Sequence, residues 1–150
     1  MAKRGEGAIL QVGARSINPS GKGAEGRVMS SMRVLVVEDD SIVRRLCADV
    51  LDTEGYEVWE AERGEEALSL AEGLPFDLAL LDYHLPGADG VQVFQHLRRR
   101  FPNIVGILMS ADLPERLAQE VNRWGLSGFL PKPFDLEELV SLVSKALRRV

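Results

Sequence analysis

Short apolar runs alternate with amphipathic stretches along the chain from Met32 onward. Three runs, at residues 34–37, 78–81 and 104–109, are almost wholly apolar, which is typical of parallel strands buried on both faces. Two weaker strands are predicted at residues 56–61, where apolar and charged positions alternate, and at residues 128–130. The pattern therefore predicts five strands.

The amphipathic stretches that follow the strands predict five helices. Asp40 or Ser41 is expected to cap the first helix, which Gly55 ends, and Asp135 is expected to cap the fifth. The second, third and fourth helices are predicted at residues 65–72, 91–100 and 114–124. The side chains expected to face the core from the first and fifth helices are Val43, Leu46, Cys47, Val50, Leu51, Leu136, Leu139, Val140, Val143 and Leu147.

Five strand–helix units in alternation predict an α/β fold, in which a doubly wound parallel sheet carries helices on both faces. The three most apolar strands are expected at its centre. The charged second strand and the fifth, which runs into Pro131, suit the edges, where a missing N–H is tolerated. The predicted strand order is 2-1-3-4-5, which is the flavodoxin-like order.

Residues 1–31 differ from the rest, because glycines recur there without any hydrophobic period. We expect a disordered N-terminal tail over residues 1–31 and one folded domain over residues 32–150. The net charge is −5 overall and +3 in the tail, which leaves −8 on the domain. An acidic domain argues against direct nucleic-acid binding, and the longest apolar runs are too short to span a membrane.

One cysteine, Cys47, excludes an intramolecular disulfide and a cysteine-rich metal site. Because Cys47 lies on an apolar helix face, we expect it to be an unreactive core residue. A single free cysteine in a chain with no predicted membrane span fits a reducing compartment, so a cytoplasmic location is expected.

Three acidic residues follow two neighbouring strands of the predicted sheet. Glu38 and Asp39 follow the first strand, and Asp82 follows the third. Ligands of open α/β sheets bind beyond the carboxyl ends of the strands, so these side chains are expected to converge. Clustered carboxylates repel one another, and a hard divalent cation such as Mg²⁺ relieves that repulsion.

Two further polar side chains follow the fourth and fifth strands at the same edge of the sheet. Lys132 supplies a positive charge that suits a phosphate group, and the Ser110 hydroxyl can hydrogen-bond a phosphate oxygen. Asp82 is then placed to act as a nucleophile that forms an aspartyl phosphate. Each residue taken alone also fits an ordinary role as a strand-end acid, turn residue or surface lysine.

Four motifs resemble those of receiver domains of response regulators in two-component signal transduction, the CheY-like superfamily. They are the acidic run at residues 36–40, the loop at residues 82–90, the pair Ser110-Ala111 and the run Lys132-Pro133-Phe134. The motifs occur in the order and spacing of that family, and the resemblance covers residues 32–150.

The resemblance implies a role for each matching residue. It implies that a phosphoryl group is accepted on Asp82 with Mg²⁺ present, and that His84 and Asp112 tune dephosphorylation. The implied metal ligands are Glu38, Asp39, Asp82 and the backbone carbonyl of His84. Lys132 and Ser110 are implied to contact the phosphoryl group, and Ser110 and Phe129 are the implied switch residues. A cis Lys132–Pro133 bond is also implied.

The sequence departs from the usual family pattern at three of these positions. Glu38 stands where Asp is common, Ser110 where Thr is usual, and Phe129 where Tyr is frequent. The resemblance still implies a phosphoacceptor switch rather than a turnover enzyme.

The resemblance also implies partners. The phosphoryl group would come from a histidine kinase or a phosphotransfer protein. A downstream protein would bind the face made by the fourth helix, fifth strand and fifth helix. Phosphorylation-dependent homodimerisation stays open.

Alternatives remain at this point. The chain can be a stand-alone receiver or the C-terminal receiver fragment of a hybrid histidine kinase. A Mg²⁺-dependent phosphohydrolase would need a second acid two residues after Asp82, where His84 stands. A flavodoxin would need a Gly/Ser/Thr-rich phosphate loop where the chain has residues 38–40. A transcription factor would need a further domain, and the chain ends directly after the fifth helix.

Overall fold

Five parallel strands form one sheet in the computed structural model, which describes residues 31–112, 115 and 119–148. In chain order the strands are β1 (Arg33–Val37), β2 (Glu57–Ala61), β3 (Leu78–Asp82), β4 (Val105–Ser110) and β5 (Gly128–Pro131). Their spatial order is β2-β1-β3-β4-β5, all parallel, which confirms the predicted flavodoxin-like sheet. A two-residue hairpin, His84–Leu85 paired with Ala88–Asp89, follows β3.

Within the described residues, four α-helices cover the two faces of this sheet. They are α1 (Ser41–Thr53), α2 (Gly64–Gly73), α3 (Gly90–Arg100) and α4 (Leu136–Leu147). Helices α1 and α4 pack on one face, and α2 and α3 pack on the other, so each face carries its own hydrophobic core. The predicted helices on both faces are confirmed. None of these helices is long and apolar enough to cross a membrane.

Two expectations fall largely outside the described residues. The tail predicted at residues 1–31 is one of them, and most of the helix predicted from Pro114 is the other. The described end of that helix, Val121–Trp124, is a short 3₁₀ helix, which Gly125 ends in the left-handed region at φ 83°.

Two leucines expected in the core lie at the surface instead. Leu46 is 50% exposed and Leu136 is 38% exposed, so their predicted inward positions were wrong. The buried stripe of α1 is formed by Cys47, Ala48 and Leu51, which leaves Leu46 on its flank. Leu136 is the first residue of α4 and precedes the turn that packs on the sheet.

Cys47 is fully buried, as expected, and burial raises the pKa of its thiol to about 12. At neutral pH the thiol is therefore protonated and unreactive. Asp40, one of two predicted caps, is the N-cap residue of α1, and its side chain accepts hydrogen bonds from the backbone N–H groups of Ile42 and Val43.

The strand register brings the carboxyl ends of the central strands level with one another. Val37 at the end of β1 pairs with Leu81, the following Asp82 pairs with Met109, and Ser110 pairs with Pro131. The residues that end β1, β3, β4 and β5 therefore meet at one edge of the sheet.

The close packing of β4 against α3 is testable at Gly106. A methyl group there would overlap the ring of the buried Phe94. We expect Gly106→Ala to lower the free energy of unfolding by about 1–3 kcal/mol, because overpacking displaces that ring. Urea denaturation measures the change.

Gly73 is the matched control, since a methyl group there meets no atom of the described chain within contact distance. It ends α2, so Gly73→Ala is expected to be neutral or to stabilise slightly. Equal losses in both variants would contradict the packing explanation.

Candidate functional site

Three carboxylates meet at the carboxyl edge of the sheet. One ligand oxygen from each of Glu38, Asp39 and Asp82 lies within 4.8 Å of the others. Glu38 and Asp82 are buried, with Asp82 only 5% exposed, whereas Asp39 faces solvent. This oxygen-rich donor set, open on one side, fits one hard divalent cation that keeps some of its water.

Lys132 reaches into the acidic cluster from the end of β5. Its Nζ donates a hydrogen bond to Glu38 Oε1 at 2.8 Å and lies 3.3 Å from Asp82 Oδ1. The ammonium group therefore bridges the two buried carboxylates. Backbone bonding fixes its position, since the Lys132 N–H donates to the carbonyl of Ser110 at 2.9 Å.

The electrostatics of the cluster favour additional positive charge. Burial raises the pKa of Asp82, with Lys132 opposing the shift and Asp39 adding to it. Burial also raises the pKa of Glu38 against the opposing effect of Lys132. Burial alone would lower the pKa of Lys132, but its bonds and charge interactions with Glu38 and Asp82 raise it. The single ammonium group of Lys132 thus only partly neutralises the negative charge of the carboxylates.

The loop after Asp82 is held by backbone bonds. The N–H of Tyr83 donates to the carbonyl of Met109 at 2.8 Å, and the N–H of Gly90 donates to the carbonyl of Tyr83 at 2.9 Å. Gly90 passes so close that a side chain would overlap the Asp82 carbonyl. The metal-binding role of the His84 carbonyl stays a prediction.

Ser110 is buried at the end of β4, beside the acidic cluster. Its hydroxyl contacts Asp112, whose carboxylate in turn contacts the His84 ring at 2.7 Å. The structure thus brings together the two residues named for dephosphorylation tuning. Phe129, paired with Leu108 across β4 and β5, is half-buried, and its switching role stays a prediction. The Lys132–Pro133 bond is cis, as the resemblance implies.

Sequence reasoning missed Arg44, which supports the acidic loop from α1. Its Nη1 donates to the backbone carbonyl of Glu38 at 2.9 Å, and its Nε donates to Glu60 at 3.1 Å. The only sequence signal was a basic residue one turn after the Asp40 cap, which is too common to single out.

An apolar patch beside the acidic cluster was also missed. It consists of Ile42, Leu46 and Leu136, and Ile42 is 71% exposed. A groove of about 410 Å³ separates α1 from the start of α4, and its lining includes Leu46, Leu136 and Lys132. The patch therefore adjoins the acidic cluster through Lys132.

Comparison with known proteins matches this architecture. The family model described as "Response regulator receiver domain" matches residues 34–144. The chain is 33% identical over 119 residues to sporulation initiation phosphotransferase F of Bacillus subtilis, covering 79% of this chain and 96% of that protein. A solved CheY-like receiver domain protein from Methanospirillum hungatei superposes with a TM-score of 0.75 at 26% identity, covering 79% of this chain and 95% of that one.

One longer relative matches this chain over only part of its own length. A cyclic di-GMP phosphodiesterase of Thermotoga maritima is 36% identical over 117 residues, covering 78% of this chain but 31% of that protein. The chain therefore spans about a third of that relative.

Because Lys132 only partly neutralises the buried carboxylates, replacing one of them should change the stability of the fold. We expect Asp82→Asn to raise the free energy of unfolding at neutral pH by about 1 kcal/mol, since it removes a buried charge. Because the folded pKa of Asp82 is raised, its ionisation destabilises the fold above that pKa. The gain should therefore shrink as pH falls through the raised pKa and vanish below about 3.9, where both states are neutral.

Urea denaturation between neutral and acid pH, without divalent cations, measures this gain. Asp49→Asn, at an exposed position of α1, is the control and should leave stability nearly unchanged. A loss of stability in Asp82→Asn would show that Lys132 fully compensates the acids.

Proposed function

The chain belongs to the response regulator receiver family, and we propose that Asp82 is the residue on which it accepts a phosphoryl group. Receiver domains of this family are phosphorylation-activated two-component switches. The observation that carries the proposal is the position of the Asp82 carboxylate, buried at the end of β3 and 3.3 Å from Lys132 Nζ. An anionic nucleophile beside a fixed cation suits phosphoryl transfer.

In the proposed reaction, a carboxylate oxygen of Asp82 attacks the phosphorus of a phosphohistidine. The P–N bond breaks, the imidazole takes up a proton, and an acyl phosphate forms on Asp82. Lys132 Nζ then exchanges its contact with Asp82 Oδ1 for one with a phosphoryl oxygen. The hydroxyl of Ser110 donates to another phosphoryl oxygen.

The family uses Mg²⁺ at an acidic pocket, and this chain has an acidic cluster at the corresponding edge of its sheet. Glu38, Asp39, Asp82 and the backbone carbonyl of His84 are the proposed ligands. When bound, the ion would neutralise charge on the transferring phosphoryl group. The raised pKa values of Glu38 and Asp82 support this assignment, because they indicate a cluster short of positive charge.

Partners of this family include histidine kinases and phosphotransfer proteins. We infer that the phosphodonor binds the apolar patch of Ile42, Leu46 and Leu136. The patch adjoins Lys132, so a protein seated on it could present a phosphohistidine to Asp82. Exposed aliphatic side chains beside a charged site are typical of a protein-binding surface.

We propose that Ser110 and Phe129 form the switch, and that the output lies on the face that the resemblance assigns to the predicted fourth helix, β5 and α4. The support is the pairing of β4 with β5, in which Ser110 pairs with Pro131, and Phe129, two residues earlier in β5, pairs with Leu108. Because the chain has one buried cysteine and its proposed phosphodonor is a phosphohistidine protein, we also propose a cytoplasmic location.

The phosphoacceptor proposal is preferred to a phosphohydrolase. Hydrolysis of phosphate esters would need a general acid near Asp82, and the side chain two residues later is His84, bonded to Asp112. Both the stand-alone receiver and the receiver fragment of a hybrid kinase use the same Asp82 chemistry. Both forms are compatible with the proposal.

Replacing the proposed acceptor should abolish phosphorylation. We expect wild-type chain with Mg²⁺ and acetyl phosphate to gain one phosphoryl group by intact mass spectrometry, and Asp82→Asn to gain none. Asp89→Asn is the control in the same loop, where Asn still caps α3, so it should be phosphorylated normally. Full labelling of Asp82→Asn would refute the assignment.

The proposed docking patch predicts a defect limited to protein donors. We expect Ile42→Glu and Leu46→Glu to slow transfer from a histidine phosphotransfer protein about tenfold, because a charge replaces contact area in the interface. Transfer from acetyl phosphate should be unchanged. Radiolabel transfer kinetics measure both rates.

Met32→Glu is the matched control, since Met32 is exposed and precedes β1 at the opposite edge of the sheet. An equal defect in Met32→Glu, or normal transfer in both patch variants, would argue against docking on the patch.

A further inference from the structure

A chain of side-chain contacts crosses the edge of the sheet beside the acidic cluster. His84 Nε2 lies 2.7 Å from Asp112 Oδ1, and the hydroxyl of Ser110 donates to the same oxygen at 3.3 Å. The backbone N–H of Asp112 donates back to Ser110 Oγ at 3.2 Å. We call these three residues the His84–Asp112–Ser110 strap. It joins the loop after β3 to the loop after β4.

The protons of the strap are assigned by donor and acceptor chemistry. A hydroxyl has one proton to donate, and an ionised carboxylate only accepts. The Asp112 carboxylate is exposed to water, so it is ionised at neutral pH. His84 Nε2 therefore donates to Asp112, and Ser110 donates its only hydroxyl proton to the same carboxylate.

That arrangement conflicts with the proposed phosphorylated state. There, Ser110 must donate its proton to a phosphoryl oxygen on Asp82. A hydroxyl group has one proton, so it cannot donate one full hydrogen bond to Asp112 Oδ1 and another to a phosphoryl oxygen at the same time. The bond to Asp112 must therefore be lost when the phosphoryl group is engaged.

We propose that the His84–Asp112–Ser110 strap is an autoinhibitory contact, which holds the Ser110 hydroxyl away from the acceptor site until phosphorylation releases it. The proposal rests on the proposed function of Asp82. His84 orients the Asp112 carboxylate, Asp112 competes with the phosphoryl group for Ser110, and release of the strap frees the two loops from each other. His84 and Asp112 act here as positioning residues.

The strap is expected to bias the switch rather than block it. The His84 and Asp112 side chains are 59% and 71% exposed. Hydrogen bonds and ion pairs between groups this exposed are weak, because water competes for both partners. Loss of the strap should therefore change the affinity of the site for a phosphoryl analogue by about two- to fivefold.

The test uses beryllofluoride as the probe, with Mg²⁺ present, on the full chain. Isothermal titration calorimetry gives its affinity for wild-type, Asp112→Ala and His84→Ala. We expect affinity to rise about two- to fivefold in Asp112→Ala, and by less in His84→Ala, where Asp112 still contacts Ser110. Unchanged or weaker binding in Asp112→Ala would overturn the proposal.

A double-mutant cycle separates release of Ser110 from simple removal of a negative charge near the anion. If Asp112 acts by sequestering the hydroxyl, Asp112→Ala should have no effect in a Ser110→Ala background. If it acts only through its charge, the gain should persist there. Glu115→Ala is the charge control, since it removes an exposed acid that lies close to Asp112 in the sequence and takes no part in the strap.

A persistent gain in affinity in the Ser110→Ala background, or an equal gain in Glu115→Ala, would overturn the proposal that the strap is autoinhibitory.

Failure of the proposed function of Asp82 is distinguishable from both results. If wild-type chain shows no Mg²⁺-dependent binding of beryllofluoride, the acceptor proposal itself fails. If binding is present and lost in Asp82→Asn, the cycle tests the strap alone.

Discussion

The Lys132 ammonium group lies between the buried carboxylates of Glu38 and Asp82, and the architecture of the site depends on that bridge. These residues come from the ends of β1, β3 and β5, which are far apart in sequence. Parallel pairing brings the carboxyl ends of these strands to one edge, and the order β2-β1-β3-β4-β5 places β1 directly beside β3. Buried acids would otherwise be costly, so one cation makes the cluster tolerable while leaving it short of positive charge. A divalent cation fits that shortage, and its charge would also help the site to hold an anionic phosphoryl group.

The central strands and the exposed loops have different roles in the site. The central strands are buried on both faces and fix the positions of Asp82 and Ser110 through register. The polar contacts that connect Ser110 to Asp112 and His84 lie in exposed loops, where water weakens them. A rigid sheet with weak, exchangeable loop contacts suits a switch, because its reactive groups stay in place while hydrogen bonds around them change partners.

Much of the fold and of the acidic cluster could be predicted from the sequence, because apolar runs and the residues that end them are local signals. The runs before Glu38, Asp82 and Ser110 indicated buried strands, and parallel strands ending together explain why these side chains converge. Contacts between loops leave no local pattern in the sequence, so the hydrogen bonds that link Ser110 through Asp112 to His84 were not predicted. Helix periodicity also failed at Leu46 and Leu136, since it identifies apolar positions but not whether the chain itself covers them.

The central claim, that Asp82 carries the phosphoryl group, is tested most directly by chemical mapping. Phosphorylated chain is treated with sodium borohydride, which reduces an aspartyl phosphate to homoserine, and then digested and sequenced by tandem mass spectrometry. We predict homoserine at position 82 and unmodified Asp39, Asp89 and Asp112. Homoserine at another aspartate, or an intact phosphoryl group on His84 or Ser110, would contradict it.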